Sequence, residues 1–239
     1  YRKETIRIDK DSRLTLHLAS GGGFAIKLEL CPVHGQVTGI PEGKNIPSFY
    51  QKYIETEGLY VTSSGKVSDE ALLKACDIIS LMLAKRPDSI KYWNWRARGF
   101  GGAPEDEFSS SCGEENLLAL PQDKYVGENI LIHEFAHLIH TVGIVGVEPD
   151  FNERLEALRQ NAIRKGLWEK TYAVSNKEEY FAECVQSFFN CNRYAEPANG
   201  VHNWVNRRTK LKTYDPDMYR LLQEYFYEIE IPIHNVVHE

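Results

Sequence analysis

The order of patterns along the chain predicts an α+β protein. The first thirty residues alternate apolar and polar positions, the period of half-buried strands, whereas from Ser68 onward apolar residues recur at helical spacing. Strands first and helices afterwards implies segregated elements and not an interleaved α/β sheet. A chain of 239 residues suits one domain with a generous core, or one domain with a small extra lobe. The change of pattern divides it into a β-rich N-terminal segment or lobe at 1–60 and a main domain at 61–239.

Each element follows from local chemistry. Ile6–Asp9, Leu14–Leu18 and Phe24–Leu30 are the alternating runs, with the turn Gly21-Gly22-Gly23 between the last two. Residues 32–58 mix Gly, Pro and polar side chains and read as loop, with a short helix near Ser48–Thr56. Ser68 is an N-cap, with acids in the turn that follows and Pro87 at the far end, giving a helix over about 69–85. IKYWNWRARGF reads as a strand with Trp93 and Trp95 on one face, and 101–115 as a Gly-, Ser- and acid-rich loop. NLLALP at 116–121 reads as a short strand, a candidate edge for an extended peptide to pair with. Helices are expected at about 128–142, 150–165, 176–191 and 215–228, and a short extended segment, IPIHNVV, near the end.

Composition excludes several classes. The net charge of −6 and the single short basic run RRTK at 207–210, read as a solvated patch, argue against a nucleic-acid partner. No apolar run is read as approaching the ~18 residues of a membrane span. The chain opens on Tyr1, which reads as a processed form or an excised piece, and a secreted or extracellular location is the expectation. Five cysteines, Cys31, Cys76, Cys112, Cys184 and Cys191, are too sparse for a disulfide scaffold and leave the redox compartment open. Cys184 and Cys191 cannot pair with each other, because seven helical residues separate their Cα atoms by ~10 Å.

The chemistry gathers at ENILIHEFAHLIHTVGI, residues 128–144. His133-Glu134-Phe135-Ala136-His137 is H-E-x-x-H. On a helix, positions four apart differ by about 40° around the axis and ~6 Å along it, so both imidazoles converge on one ion. Glu134 lies at the edge of that face, poorly placed to ligate and well placed to touch a water on the metal. The helix is apolar nearly all round, hence buried, and two imidazoles and a carboxylate inside it need compensation. His140 lies one turn further along the same face and is read as a supporting residue or a C-terminal cation, not a third ligand. A metzincin extension needs a glycine and then a histidine at these two places; the chain has His140 and Gly143, so that extension fails.

The third ligand is sought elsewhere. Ser175-Asn176-Lys177-Glu178 is a capping box that starts a helix at Ser175. Glu179 and Glu183 sit four apart on that helix, flanked by Phe181, Val185 and Phe188. H-E-x-x-H on one helix and E-x-x-x-E on another give a two-histidine, one-glutamate Zn2+ site. Glu179 is the ligand, and Glu183 holds a ligating histidine through its far nitrogen. The competing reading is a solvated acidic face.

HEFAH followed by Tyr172 and the run NKEEYFAE at 176–183 resembles the catalytic domain of the anthrax-lethal-factor-like gluzincins, a group that includes the bacterial Pro-Pro endopeptidases. The resemblance implies a zincin-like catalytic domain with an active-site helix and a second glutamate-bearing helix, preceded here by β-rich N-terminal strands that do not map onto the family. It implies His133, His137 and Glu179 as Zn2+ ligands, Glu134 as general base, Tyr172 as donor to the developing oxyanion and Glu183 as the following acid. The family's Gly-His within its motif is Ala136-His137 here. The implied activity is zinc-dependent endopeptidase, with a protein or peptide as substrate. Two alternatives stay open: a toxin-like or binding module with a vestigial or structural zinc site, and a zinc hydrolase acting on a non-peptide amide. Trp93, Trp95 and Arg96 could shape a substrate cleft or serve the core.

Overall fold

The structure, a computed structural model, describes residues 34–88 and 110–231, with a few single positions before residue 34. The expected strands within 6–30, the segment carrying Trp93, Trp95 and Arg96, and all of the C-terminal extended segment except Ile231 lie outside the described residues. What is described mixes a two-stranded antiparallel sheet with helices, which agrees with the α+β expectation at that coarse level.

Strands β1 (Lys52–Thr56) and β2 (Leu59–Ser63) form a hairpin in which Lys52 faces Ser63 and Thr56 faces Leu59. The connecting pair Glu57-Gly58 has positive φ at both residues, 51° and 76°, as a primed two-residue turn requires. The short helix expected at 48–56 is therefore a strand. Ile54 and Thr56, two apart on one face of β1, are buried, and Tyr53 on the other face is buried as well. The division at residue 60 falls inside β2, and Ile54 packs with Leu72 and Cys76 of the next helix.

Helix α1 (Asp69–Leu83) starts where the sequence places it, with Ser68 Oγ accepting from Ala71 N at 3.3 Å. After it, 114–121 departs from expectation. Glu114–Leu117 is a single helical turn, α2, and no strand forms at 116–121 among the described residues. The reason is Asn116, which is 1% exposed. Its amide donates to Asp123 Oδ2 (3.1 Å) and Glu128 O (2.9 Å), and its Oδ1 accepts from Ile130 N (2.8 Å). These bonds fold residues 116–130 into a closed loop, so the candidate edge for a peptide is absent there.

Helix α3 (Ile130–Leu138) continues as a π-helical segment, Ile139–Ile144, and ends at Val145–Val147. The whole run Ile130–Val147 has 18 residues at a mean hydropathy of 1.6, long and apolar enough to cross a membrane by length and composition. That corrects the reading that no stretch approaches such a length. More than half of it is buried inside the protein, as in the core helix of a globular fold. Helix α4 (Phe151–Arg164) follows, then α5 (Lys177–Phe188). The cap of α5 is Asn176, whose Oδ1 accepts from Glu179 N at 2.7 Å, one residue later than expected; Ser175 instead donates to Tyr172 O at 2.6 Å.

The helix expected at 215–228 is α7 (Pro216–Tyr225), and a further helix that the sequence reading did not place, α6 (Arg208–Tyr214), precedes it, the two meeting at Asp215. Asp215 caps α7, accepting from Met218 N at 3.2 Å. The RRTK run opens α6 and is not merely solvated: Arg208 donates to Phe188 O and Ile229 O, both at 2.7 Å, tying the segment after α7 to α5.

Helices α3 and α5 run antiparallel and hold the centre. Asn129 N donates to Cys191 O (3.1 Å) at one end, and His140 packs on Phe181 with ring centroids 5.3 Å apart at the other. Ile132, Phe135, Ala136, Phe181, Ala182, Val185 and Phe188, all 2% exposed or less, belong to the core that joins the two helices. Full burial of each large side chain contributes roughly 1.5–3 kcal/mol. The result is a rigid pair of helices whose polar residues can meet only on one shared line.

Candidate metal centre

Three side chains meet on that line. His133 and His137 leave α3 from the same face, with rings nearly perpendicular (79°) and Nε2 atoms 3.1 Å apart. Glu179, in the first turn of α5, reaches across with Oε2 at 3.2 Å from His133 Nε2 and Oε1 at 3.5 Å from His137 Nε2. One donor atom from each residue lies within 4.8 Å of the other two.

The donor set fits a tetrahedral ion. Ligands at ~2.0–2.1 Å from zinc stand ~3.3–3.4 Å from one another, close to the separations observed. The electrostatics agree. Glu179 Oε2 is buried and, among the described residues, has no hydrogen-bond partner, an expensive state for a carboxylate oxygen without a cation. Burial alone would raise the Glu179 carboxyl, but the two imidazoles hold it down at about 2. Burial would likewise lower His133, but Glu179, Glu183 and Gln186 outweigh it and raise it to about 9. A cationic species is therefore wanted at this point, either a proton or a metal ion.

Glu134 is half-buried on the flank of the same helix, and its carboxylate makes no hydrogen bond or ion pair among the described residues. Its charge reaches the Cys112 thiol, which burial, then Glu115 and Glu134, push up to about 12. Tyr172 opens a short 3-10 turn, Tyr172–Val174, just before α5. Its backbone is fixed by Tyr172 N donating to Val201 O at 2.8 Å, while its side chain is 46% exposed and its hydroxyl has no partner among the described residues.

Glu183 differs from expectation. Its Oε1 stands 3.7 Å from His133 Nδ1, beyond hydrogen-bond range, and its Oε2 accepts from Asn192 Nδ2 at 2.9 Å. The residue that holds His133 is Gln186, whose Oε1 is 2.9 Å from Nδ1. His140 also differs. It is fully buried, its Nε2 pairs with Asn152 Oδ1 at 2.8 Å, and it lies between Phe151 and Phe181. Burial keeps it below its ordinary pKa, so it is a neutral core residue and not a C-terminal cation. His202 and Glu128 escape the sequence reading altogether; they complete a buried charged group with Glu183. Gln186 lies seven residues, two turns, beyond Glu179 along the same face, but that spacing alone does not tell it from a solvated glutamine.

A cavity of about 480 Å³ lies elsewhere. It is lined by Leu131, Phe135 and Leu138, on the side of α3 opposite the histidines, and by the hairpin and α1. Its walls are mixed, with Cys112 and Glu114 beside the apolar side chains, and His133, His137 and Glu179 do not line it.

No protein-family model matches this chain, and neither a curated protein nor a solved structure matches it.

Proposed function

We propose that the chain is a zinc-dependent endopeptidase with a zincin-like active site. The observation that carries the reading is the meeting of His133, His137 and Glu179 at tetrahedral ligand spacing. His133, His137 and Glu179 would hold Zn2+, which when bound lowers the pKa of water toward ~7 and polarises a carbonyl.

The chain's own residues do the rest. Glu134 accepts the proton of the attacking water and returns it to the leaving amine, the work of a carboxylate with no competing partner. The exposed Tyr172 hydroxyl donates to the oxyanion that develops on the peptide carbonyl, a role its free side chain permits once substrate is present. Glu183, in its buried group with His202 and Asn192, supports α5 from behind the ligand face. A purely structural zinc site has no use for Glu134, and this favours an enzyme over a binding module.

The test is zinc content together with cleavage of a peptide library by wild type and Glu134→Gln. Wild type with bound zinc and cleavage, against a variant with zinc and none, is the expected result. A zinc-loaded wild type that cleaves no peptide would remove the peptidase reading and leave the amide-hydrolase and binding readings to be separated.

A further inference from the structure

Gln186 is fully buried on α5, and both ends of its amide are engaged. Nε2 donates to the backbone carbonyl of Asn129 at 3.1 Å, and Oε1 lies 2.9 Å from His133 Nδ1. A carbonyl oxygen only accepts, so the reverse amide orientation would set two acceptors against each other. Oε1 must therefore face the imidazole, and since Oε1 also only accepts, the proton of that contact sits on His133 Nδ1. A neutral His133 then has its free lone pair on Nε2, the nitrogen 3.1 Å from His137 Nε2 and 3.2 Å from Glu179 Oε2. Asn129 is itself held, its Oδ1 accepting from Ile132 N (3.0 Å) and its N–H donating to Cys191 O (3.1 Å). The chain of contacts thus runs from the end of α5 through the start of the histidine helix to the ring.

We infer that Gln186 is the positioning residue that selects the tautomer and ring orientation of His133 for metal binding, in the place where zinc sites commonly use a carboxylate. The inference rests on the metal-centre reading above. A neutral amide orients the ring as a carboxylate does, yet it adds no negative charge behind a centre that Glu179 already supplies with one. Glu183, the carboxylate nearest the same nitrogen, is turned toward Asn192 and His202.

The experiment uses the full chain with Zn2+ as the probe. Zinc affinity is measured by chelator competition for wild type, Gln186→Leu and Gln186→Glu, with thermal melts of the metal-free proteins as the folding control. In parallel, nitrogen-15 NMR of zinc-loaded wild type reads which His133 nitrogen carries the proton. The expected results are a protonated Nδ1, affinity lowered about 10–100-fold in Gln186→Leu, and much of it regained in Gln186→Glu, which keeps the acceptor. A wild type that binds zinc with an unprotonated Nδ1, or a folded Gln186→Leu with unchanged affinity, overturns the role of Gln186 alone. A wild type that binds no zinc overturns the metal-centre reading and this inference with it. If Gln186→Leu does not fold, the NMR result on wild type decides.

Discussion

Glu183 and His202 face each other across 3.6 Å inside the protein, with Glu128 3.5 Å from the other imidazole nitrogen. All three side chains are less than a tenth exposed. Burial would lower His202, but the two carboxylates outweigh it and raise its pKa to about 9. An unfolded histidine titrates near ~6.5. The folded value is higher, so the stabilisation is complete below the unfolded pKa and disappears as pH rises through about 9. Metal-free His202→Gln should melt several degrees below wild type at pH 7, a loss on the order of 1–3 kcal/mol, and the gap should narrow toward pH 10. Melting curves across that range check it; a gap independent of pH rules out a protonated His202.

The two glutamates of α5 should separate cleanly. Glu179 reaches one imidazole with each of its two oxygens, whereas Glu183 touches neither within hydrogen-bond range. Glu179→Ala should lose zinc. Glu183→Gln should keep it and melt lower, because the imidazole of His202 loses one of its two carboxylates. Elemental analysis of the dialysed proteins gives the result, and zinc retained by Glu179→Ala would show that the third ligand has been misassigned.

The difference between these glutamates also marks what the sequence can express. His133, His137 and Glu179 are legible because each pair or element is local: four residues on one helix, or one residue beside a cap. The helices α1, α4 and α5 are legible for the same reason, each having a period and an end signal. The contact of Gln186 with His133 spans 53 residues, and nothing local distinguishes Gln186 from a solvated glutamine. The run NLLALP has an apolar pattern that suits a strand, but the buried amide of Asn116 decides its path, through bonds to residues 7 to 14 positions away. The helix after Asp215-Pro216 is legible because a capping aspartate followed by a proline marks a helix start, whereas α6 just before it begins with no side-chain cap and goes unread. Asp215 also gathers buried donors that no local pattern announces.

Those donors make Asp215 a test of the frame behind the site. It is 2% exposed, and its Oδ2 accepts from Tyr180 Oη (2.6 Å) and Trp168 Nε1 (2.9 Å) while Oδ1 caps α7. Asp215→Ala strands all three donors and should cost at least ~3 kcal/mol in urea unfolding, against about 1 kcal/mol for Tyr180→Phe, which removes a single partner. Equal losses would mean that the aspartate is not the hub of the network.

Glu134 and Tyr172 are the residues on which turnover should depend without any change in fold. Neither carboxylate nor hydroxyl has a hydrogen-bond partner among the described residues, so removing them costs no internal bond. Glu134→Gln should keep its zinc and its melting temperature and lose roughly 10²–10⁴-fold in kcat, the usual contribution of a positioned general base. Tyr172→Phe should stay within about 0.5 kcal/mol of wild-type stability, as exposed substitutions do. Its kcat should fall by roughly 10–10³-fold with KM nearly unchanged, since the bond to the oxyanion forms only in the transition state. Steady-state kinetics on a cleaved peptide separates the two quantities. A rise in KM at constant kcat would make Tyr172 a residue that binds substrate and would leave the oxyanion without this donor.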